Sequence, residues 1–253
     1  MVSTCQSALA LLLHEAANIP NGASILDVGH GCGDSLIMLA ERKPVLLHGV
    51  TSLPFHAERA RARSTADVWC ADAQEWLAAR PEPVYNTVLA LDCAYHFRSR
   101  ASFFEAAHNA MVTGGTLGLV DLVGAWPYPA WTASDVPPPT RPPSLYARVM
   151  HYIACLFSGT NPGAFVYMEQ YRAQLEAAGF TAVQITDISH NVFPGFSRFL
   201  CNLGSGDEHT WRSSTNLHAF RAFGRVVSRW AAGGNNGIVR CVLVTAHKPT
   251  RDT

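Results

Sequence analysis

The chain has 253 residues, 48% of them apolar and 15% charged, and its formal net charge is zero. That balance excludes intrinsic disorder, whose mark is low hydrophobicity with high net charge. It also lacks the basic excess of a nucleic-acid-binding surface: the nearest cluster, Arg59, Arg61 and Arg63, alternates along a short solvated helix, so no nucleic-acid partner is expected. Neither lysine, Lys43 or Lys248, lies in an apolar stretch of the kind Schiff-base chemistry needs. The cysteines, Cys5, Cys32, Cys70, Cys93, Cys155, Cys201 and Cys241, are scattered and odd in number. They show no CxxC spacing, so neither a zinc site nor a disulfide framework is expected, and reduced thiols in the cytoplasm are the simple reading.

In chain order, the apolar run 8–13 is short and has no basic residues before it. It reads as the buried face of a helix, and neither a signal peptide nor stable membrane insertion is expected. Strand-length apolar runs then alternate with helical patterns. Strands are expected at 24–28, 45–50, 66–70, 87–91 and 116–120, and helices at 35–42, 56–64, 73–79 and 100–111. Gly114-Gly115 reads as a turn into the last of these strands. Continuously apolar strands alternating with helices indicate a parallel sheet covered on both faces.

The rhythm breaks at Gly124. From 125 to about 165 the chain is rich in proline and aromatic residues, with Trp126, Tyr128 and Trp131 before the proline stretch and an apolar helical pattern at 145–157 after it. A long insert following a strand is usually functional, so 124–166 is read as a substrate cap within one domain spanning 1–253. The alternation resumes with a helix at 168–178 stopped by Gly179, a strand at 183–187, a long helix within 208–232, a glycine- and asparagine-rich turn at 233–237, and a strand at 239–247.

The most informative segment is Ile25-Leu26-Asp27-Val28-Gly29-His30-Gly31-Cys32-Gly33-Asp34-Ser35. It joins a strand to a helix, the setting in which a glycine-rich loop binds a ligand. The spacing is G-x-G-x-G, not the G-x-G-x-x-G of dinucleotide binders, and Asp27 closes the strand just before it. A pyrophosphate would be repelled by that carboxylate, whereas a ligand carrying an ammonium would be attracted. The residues therefore point to an amino-acid-bearing nucleoside, S-adenosylmethionine. His30 is expected to pack over the loop.

With these residues the chain resembles the class I S-adenosylmethionine-dependent methyltransferases, from about Gly22 to Leu122 and more loosely beyond. Asp27, Gly29, Gly31 and Gly33 look like the family's first cofactor-binding motif. Ala71-Asp72-Ala73 looks like the motif whose acid accepts from the adenine amine, which implies Asp72 and Ala73 as cofactor contacts. The segment 88–97 looks like the fourth strand and the chain leaving it. Val112-Thr113-Gly114-Gly115-Thr116-Leu117 looks like the turn into the fifth strand, with Thr113 where proline is usual. At the end of the second strand, where an acid often holds the ribose, Gly49-Val50-Thr51-Ser52 stands instead. This is similar to the sterol, tocopherol, sugar and cyclopropane-type branch and implies contacts from Thr51 and Ser52. The resemblance implies a Rossmann-like seven-stranded sheet, mostly parallel with the last strand antiparallel, with helices on both faces and the cap insert after strand five. The few residues ahead of the first strand leave little of the branch's usual helical cap, so the insert is expected to take over that role.

Ligands of open α/β sheets sit at the carboxyl ends of strands, which makes 92–97 and Asp121 the reactive candidates. His96 is the natural general base for a hydroxyl acceptor, because an imidazole titrates near neutral pH. Tyr95 could orient the acceptor or relay its proton, and Asp121 could hold the histidine's tautomer. O-methyltransferases of this branch often carry His-His at the Tyr95-His96 position and an acid near Asp121. Asp92 is expected to shape the cofactor pocket and Cys93 to fill a small space beside it. Trp126, Tyr128, Trp131, Tyr152 and Phe196 are expected to line an apolar acceptor pocket. The histidines show no metal-ligand spacing, and no metal is expected.

The function expected is methyl transfer to a small, largely apolar metabolite, with oxygen as the acceptor atom. Carbon methylation of an isoprenoid or phenol, nitrogen methylation, and a cyclase or dehydratase that merely retains the cofactor remain open at this stage. So do a non-catalytic partner subunit and a homodimer.

Overall fold

The structure, a computed structural model, describes residues 4–80, 82–125, 143–203, 214–232 and 237–250. Trp126, Tyr128 and Trp131, the proline stretch, the expected helix start near 208 and most of the turn at 233–237 lie outside the described residues.

The strands are β1 (Ser24–Val28), β2 (Leu46–Thr51), β3 (Asp67–Cys70), β4 (Tyr85–Leu91), β5 (Met111–Gly124), β6 (Thr181–Asp187) and β7 (Val239–His247). They form one sheet in the order β3-β2-β1-β4-β5-β7-β6. The central strand β1 pairs in parallel with both β2 and β4, Ile25 lying opposite Leu47 on one side and Thr87 on the other. With neighbours on both edges and helices over the faces, its Ile25, Leu26 and Val28 are buried, and Asp27 is the one acid carried into the interior among them. The last strand is antiparallel, as expected. Gly114 N–H donates to the Lys248 carbonyl and Lys248 N–H to the Gly115 carbonyl, both at 2.9 Å, so the start of β5 meets the end of β7.

The helices among the described residues are α1 (Thr4–Ala16), α2 (Asp34–Arg42), α3 (Pro54–Arg63), α4 (Ala73–Ala78), α5 (Arg100–Ala110), α6 (Leu145–Ser158), α7 (Met168–Ala177), α8 (Ser189–Cys201) and α9 (Ser214–Ala232). α3 starts on Pro54, whose fixed φ and missing N–H suit the first helical position. α5 and α6 begin at Ser99 and Ser144, whose hydroxyls accept from Ser102 N–H and Ala147 N–H at 3.2 Å each.

Two expectations are corrected. Gly114-Gly115 is no turn between elements but an irregularity inside β5: Tyr85 pairs with Met111 and Thr87 with Thr116, so the extra residues loop out at Gly114, whose φ is 77°. Residues 189–201, where no element was expected, form α8. Pro194 lies inside that helix, and with Asn191 and Gly195 it gives the stretch the look of a loop.

The chain divides into two compact units. One holds Met1–Asp121, Gln170–Thr186 and Val242–Thr253, and the other Leu122–Glu169 and Asp187–Cys241. The first contains β1–β4, with Leu36, Ala57, Ala60 and Val68 packed together beneath α2 and α3. The second is built on α8 against α9, with the Phe193 and Phe223 rings 5.6 Å and 5.9 Å from Trp230. The segment expected to form the cap falls within this second unit.

Candidate active site

The glycine loop leaves β1 with Gly29, Gly31 and Gly33 all at positive φ (69°, 55° and 88°), a conformation that costs other residues on the order of 1–2 kcal/mol. Space separates their roles. A side chain at Gly29 would meet Cys93 at 2.7 Å, and one at Gly33 would meet Ala60 of α3 at 3.0 Å. At Gly31 a Cβ would meet nothing within 4 Å, so this glycine borders open space that a ligand can reach. Gly29 and Gly33 close the loop on the protein, and Gly31 opens it outward.

Asp27 lies under the loop, 1% exposed, and accepts a hydrogen bond from the Ser35 hydroxyl on α2. Burial pushes its carboxyl up to about 7, only partly offset by Ser35. A buried carboxylate this poorly neutralised fits a cationic ligand group. His30 packs over the loop, as expected. Its Nδ1 is 3.0 Å from the Gly31 carbonyl, while its buried Nε2 has no hydrogen-bond partner among the described residues. The ring occupies the space above Gly49 of β2, where a Cβ would approach within 2.8 Å.

At the ends of β2 and β3, Thr51 is buried and Ser52 exposed. Asp72 caps α4: its Oδ1 accepts from Gln74 N–H at 2.9 Å and Glu75 N–H at 3.1 Å, which leaves Oδ2 toward solvent. This capping is a role the sequence did not reveal. Ala73, the next residue, is buried.

Past β4, Asp92 takes a left-handed conformation with φ 55°, uncommon for a residue other than glycine and a mark of local strain. Asp92 is exposed at its surface, yet the protein around its carboxyl pushes it up to about 6, with the neighbouring Tyr95 acting against that shift. Cys93 donates from Sγ to the Val28 carbonyl at 3.2 Å and is pushed well up by burial, so it fills space as an inert thiol. The Tyr95 and His96 rings lie against each other at a tilt of 42°, with centroids 4.3 Å apart. The His96 imidazole is lowered, first by burial and then by Arg100, with Asp121 acting against them, so it is neutral at pH 7.

Asp121, fully buried in β5, accepts from Arg100 Nε at 2.8 Å and from the Tyr171 hydroxyl at 3.0 Å, with Arg100 Nη2 at 3.5 Å from its other oxygen. Arg100 and Tyr171 escaped the sequence reading. Arg100 opened one expected helix and Tyr171 fell inside another, with neither singled out; only the fold brings α5 and α7 to the same carboxylate. Tyr152 and Phe196 belong to the second unit, where both are exposed, at 55% and 40%.

No family model matches the chain. It is 28% identical to an erythromycin 3''-O-methyltransferase of Saccharopolyspora erythraea, over 95% of this chain and 77% of that protein. It is 27% identical to a 27-O-demethylrifamycin SV methyltransferase of Amycolatopsis mediterranei, over 90% of this chain and 78% of that protein. Among solved structures, a cyclopropane synthase of Mycobacterium tuberculosis superposes with a TM-score of 0.75 at 18% identity, covering 98% of this chain and 86% of that one. The likeness shows the Rossmann-like fold, a mostly parallel seven-stranded sheet with its last strand antiparallel, that the sequence resemblance implied.

Proposed function

We propose that the protein is an S-adenosylmethionine-dependent methyltransferase that transfers a methyl group to a hydroxyl of a small, largely apolar metabolite. The observation that carries the reading is Asp27, a buried carboxylate held by one serine beside a loop that opens outward at Gly31. The residues fit the cofactor. Asp27 would take its ammonium, Gly29, Gly31 and Gly33 would let the backbone approach it, Thr51 and Ser52 would face the ribose, and Asp72 would use its free oxygen toward the adenine amine, next to Ala73. When bound, the cofactor supplies an electrophilic methyl on a sulfonium, already a good leaving group. What remains for the chain is to align the acceptor, exclude water and take up a proton. His96, neutral at pH 7, is the general base, and Asp121 is the fixed charge that supports it.

Oxygen is favoured as the acceptor atom because both curated relatives are methyltransferases of oxygenated antibiotics, one named for 3''-O-methylation and the other for a 27-O-demethyl substrate. Tyr152, Phe196 and the aromatic residues Trp126, Tyr128 and Trp131 are proposed to meet the apolar part of the acceptor. The test is incubation with S-adenosylmethionine and 27-O-demethylrifamycin SV, or erythromycin lacking its 3''-O-methyl group, with mass spectrometry of both products. A 14-dalton gain matched by S-adenosylhomocysteine supports the reading. An acceptor rearranged without S-adenosylhomocysteine would replace it with a cyclase or dehydratase.

A further inference from the structure

The backbone of the glycine loop is sorted by direction. The His30 carbonyl accepts from Gly33 N–H at 3.0 Å, which closes a four-residue turn, and the Cys32 carbonyl accepts from Arg63 Nη1 of α3 at 3.0 Å. The Gly31 carbonyl between them lies 3.0 Å from His30 Nδ1. A carbonyl oxygen only accepts, so Nδ1 carries the proton of that bond and Nε2 the lone pair. Three successive carbonyls are thus held by protein donors, whereas no acceptor among the described residues takes the Cys32 N–H. In a planar trans peptide the carbonyl and the next N–H point opposite ways. Holding the Gly31 carbonyl toward the ring therefore turns the Cys32 N–H away from it, and the loop is open at Gly31, where a Cβ would meet nothing within 4 Å.

The His30 side chain is an odd choice for packing alone. It is 7% exposed, and its Nε2 is buried with no hydrogen-bond partner among the described residues. An apolar side chain of like size would fill the space over Gly49 without stranding that nitrogen. What the imidazole adds is the donor at Nδ1. Burial lowers the imidazole against the pull of the Gly31 carbonyl, so the ring is neutral at pH 7 and has one proton to place.

We infer that His30 is a positioning residue of the cofactor loop, whose Nδ1–H locks the Gly31–Cys32 peptide so that the Cys32 N–H donates to the carboxylate of S-adenosylmethionine. The inference rests on the methyl-transfer reading, in which Asp27 takes the ammonium of the same amino-acid end. With the peptide turned over, the loop would present a carbonyl, which repels a carboxylate.

One arm of the test needs no cofactor. Nitrogen NMR of the full chain with labelled histidines, His30 being assigned by its loss in His30→Asn, reads the tautomer of the ligand-free protein. The lock predicts the proton on Nδ1. A proton on Nε2 overturns it, whatever the enzyme binds. The second arm is calorimetry with S-adenosylmethionine and with its decarboxylated form, at one fixed pH. His30→Phe and His30→Leu keep an apolar filling over Gly49 and lose the donor. His30→Asn keeps an N–H near the Nδ1 position and loses the rest of the ring. The two apolar variants are expected to bind S-adenosylmethionine about tenfold more weakly than the parent, on the order of one hydrogen bond to a charged group, and the decarboxylated form almost as the parent does. His30→Asn should keep the parent's affinity while its thermal midpoint falls, because a cavity opens over Gly49. Parent affinity for S-adenosylmethionine in both apolar variants overturns the proposal. So does an equal loss for both ligands, or a loss in His30→Asn as large as in His30→Phe, since a merely structural role gives those results. If the parent binds neither ligand, the methyl-transfer reading fails and the carboxylate contact falls with it, while the tautomer still decides the lock.

Discussion

Asp27 holds a carboxylate in the core with one serine hydroxyl for help. Its folded-state value of about 7 lies above the ordinary 3.8, so the ligand-free fold favours the protonated acid. The sign follows: Asp27 is no burden below the ordinary value and destabilises the ligand-free fold progressively as pH rises through about 7. Thermal unfolding should show the parent losing stability relative to Asp27→Asn over that range, and saturating S-adenosylmethionine should remove the difference. Binding must draw on the ionised form. The apparent affinity is therefore expected to weaken on the order of tenfold from about pH 7.5 to about pH 6, with proton release that calorimetry in buffers of different ionisation enthalpy would detect. Asp27→Ala should abolish binding. His96→Ala should leave binding intact while slowing transfer by about 10²-fold; an unchanged rate would remove His96 from the chemistry.

Two local arrangements bear on how elements are held together. Arg100 of α5 and Tyr171 of α7 both end on Asp121 of β5, tying two helices to one strand through a pair whose side chains are 4% and 0% exposed. Removing the cation leaves an uncompensated buried charge. Arg100→Met should therefore cost about 3–5 kcal/mol in urea unfolding, and Tyr171→Phe about 1 kcal/mol. Between the glycine loop and β2, the His30 ring fills the space a side chain at Gly49 would need. Gly49→Ala should cost about 1–3 kcal/mol by overpacking, and less in the background of His30→Ala, so a double-mutant cycle should show coupling. The glycine loop was legible in the sequence because its requirements are local: positive φ, a tight turn and a helix start. The Arg100–Asp121–Tyr171 cluster was not, because it joins residues 21 and 50 positions apart with no periodic signature. α8 was hidden for another reason. Pro194 and Gly195 speak against a helix locally, and the packing of Phe193 and Leu200 overrides them.

At the scale of the molecule, the parallel half of the sheet was readable because short apolar stretches such as Ile25-Leu26 and Val88-Leu89-Ala90 alternate with helical patterns along the chain. The antiparallel final strand came from the family resemblance, and the hydrogen bonds between Gly114, Gly115 and Lys248 bear it out. The division into two compact units was not readable, since the second unit is assembled from two separated stretches of chain. Within the first unit, Asp27, the glycine loop, Asp92, Tyr95 and His96 all lie at or just beyond the carboxyl ends of β1 and β4, where an open α/β sheet receives its ligand. The central claim is that this end of the sheet binds S-adenosylmethionine through Asp27. The most direct test is calorimetric titration of the parent and Asp27→Ala with S-adenosylmethionine and with S-adenosylhomocysteine. The account predicts that the parent binds both and the variant neither. Binding of neither by the parent, or equal binding by the variant, would contradict it.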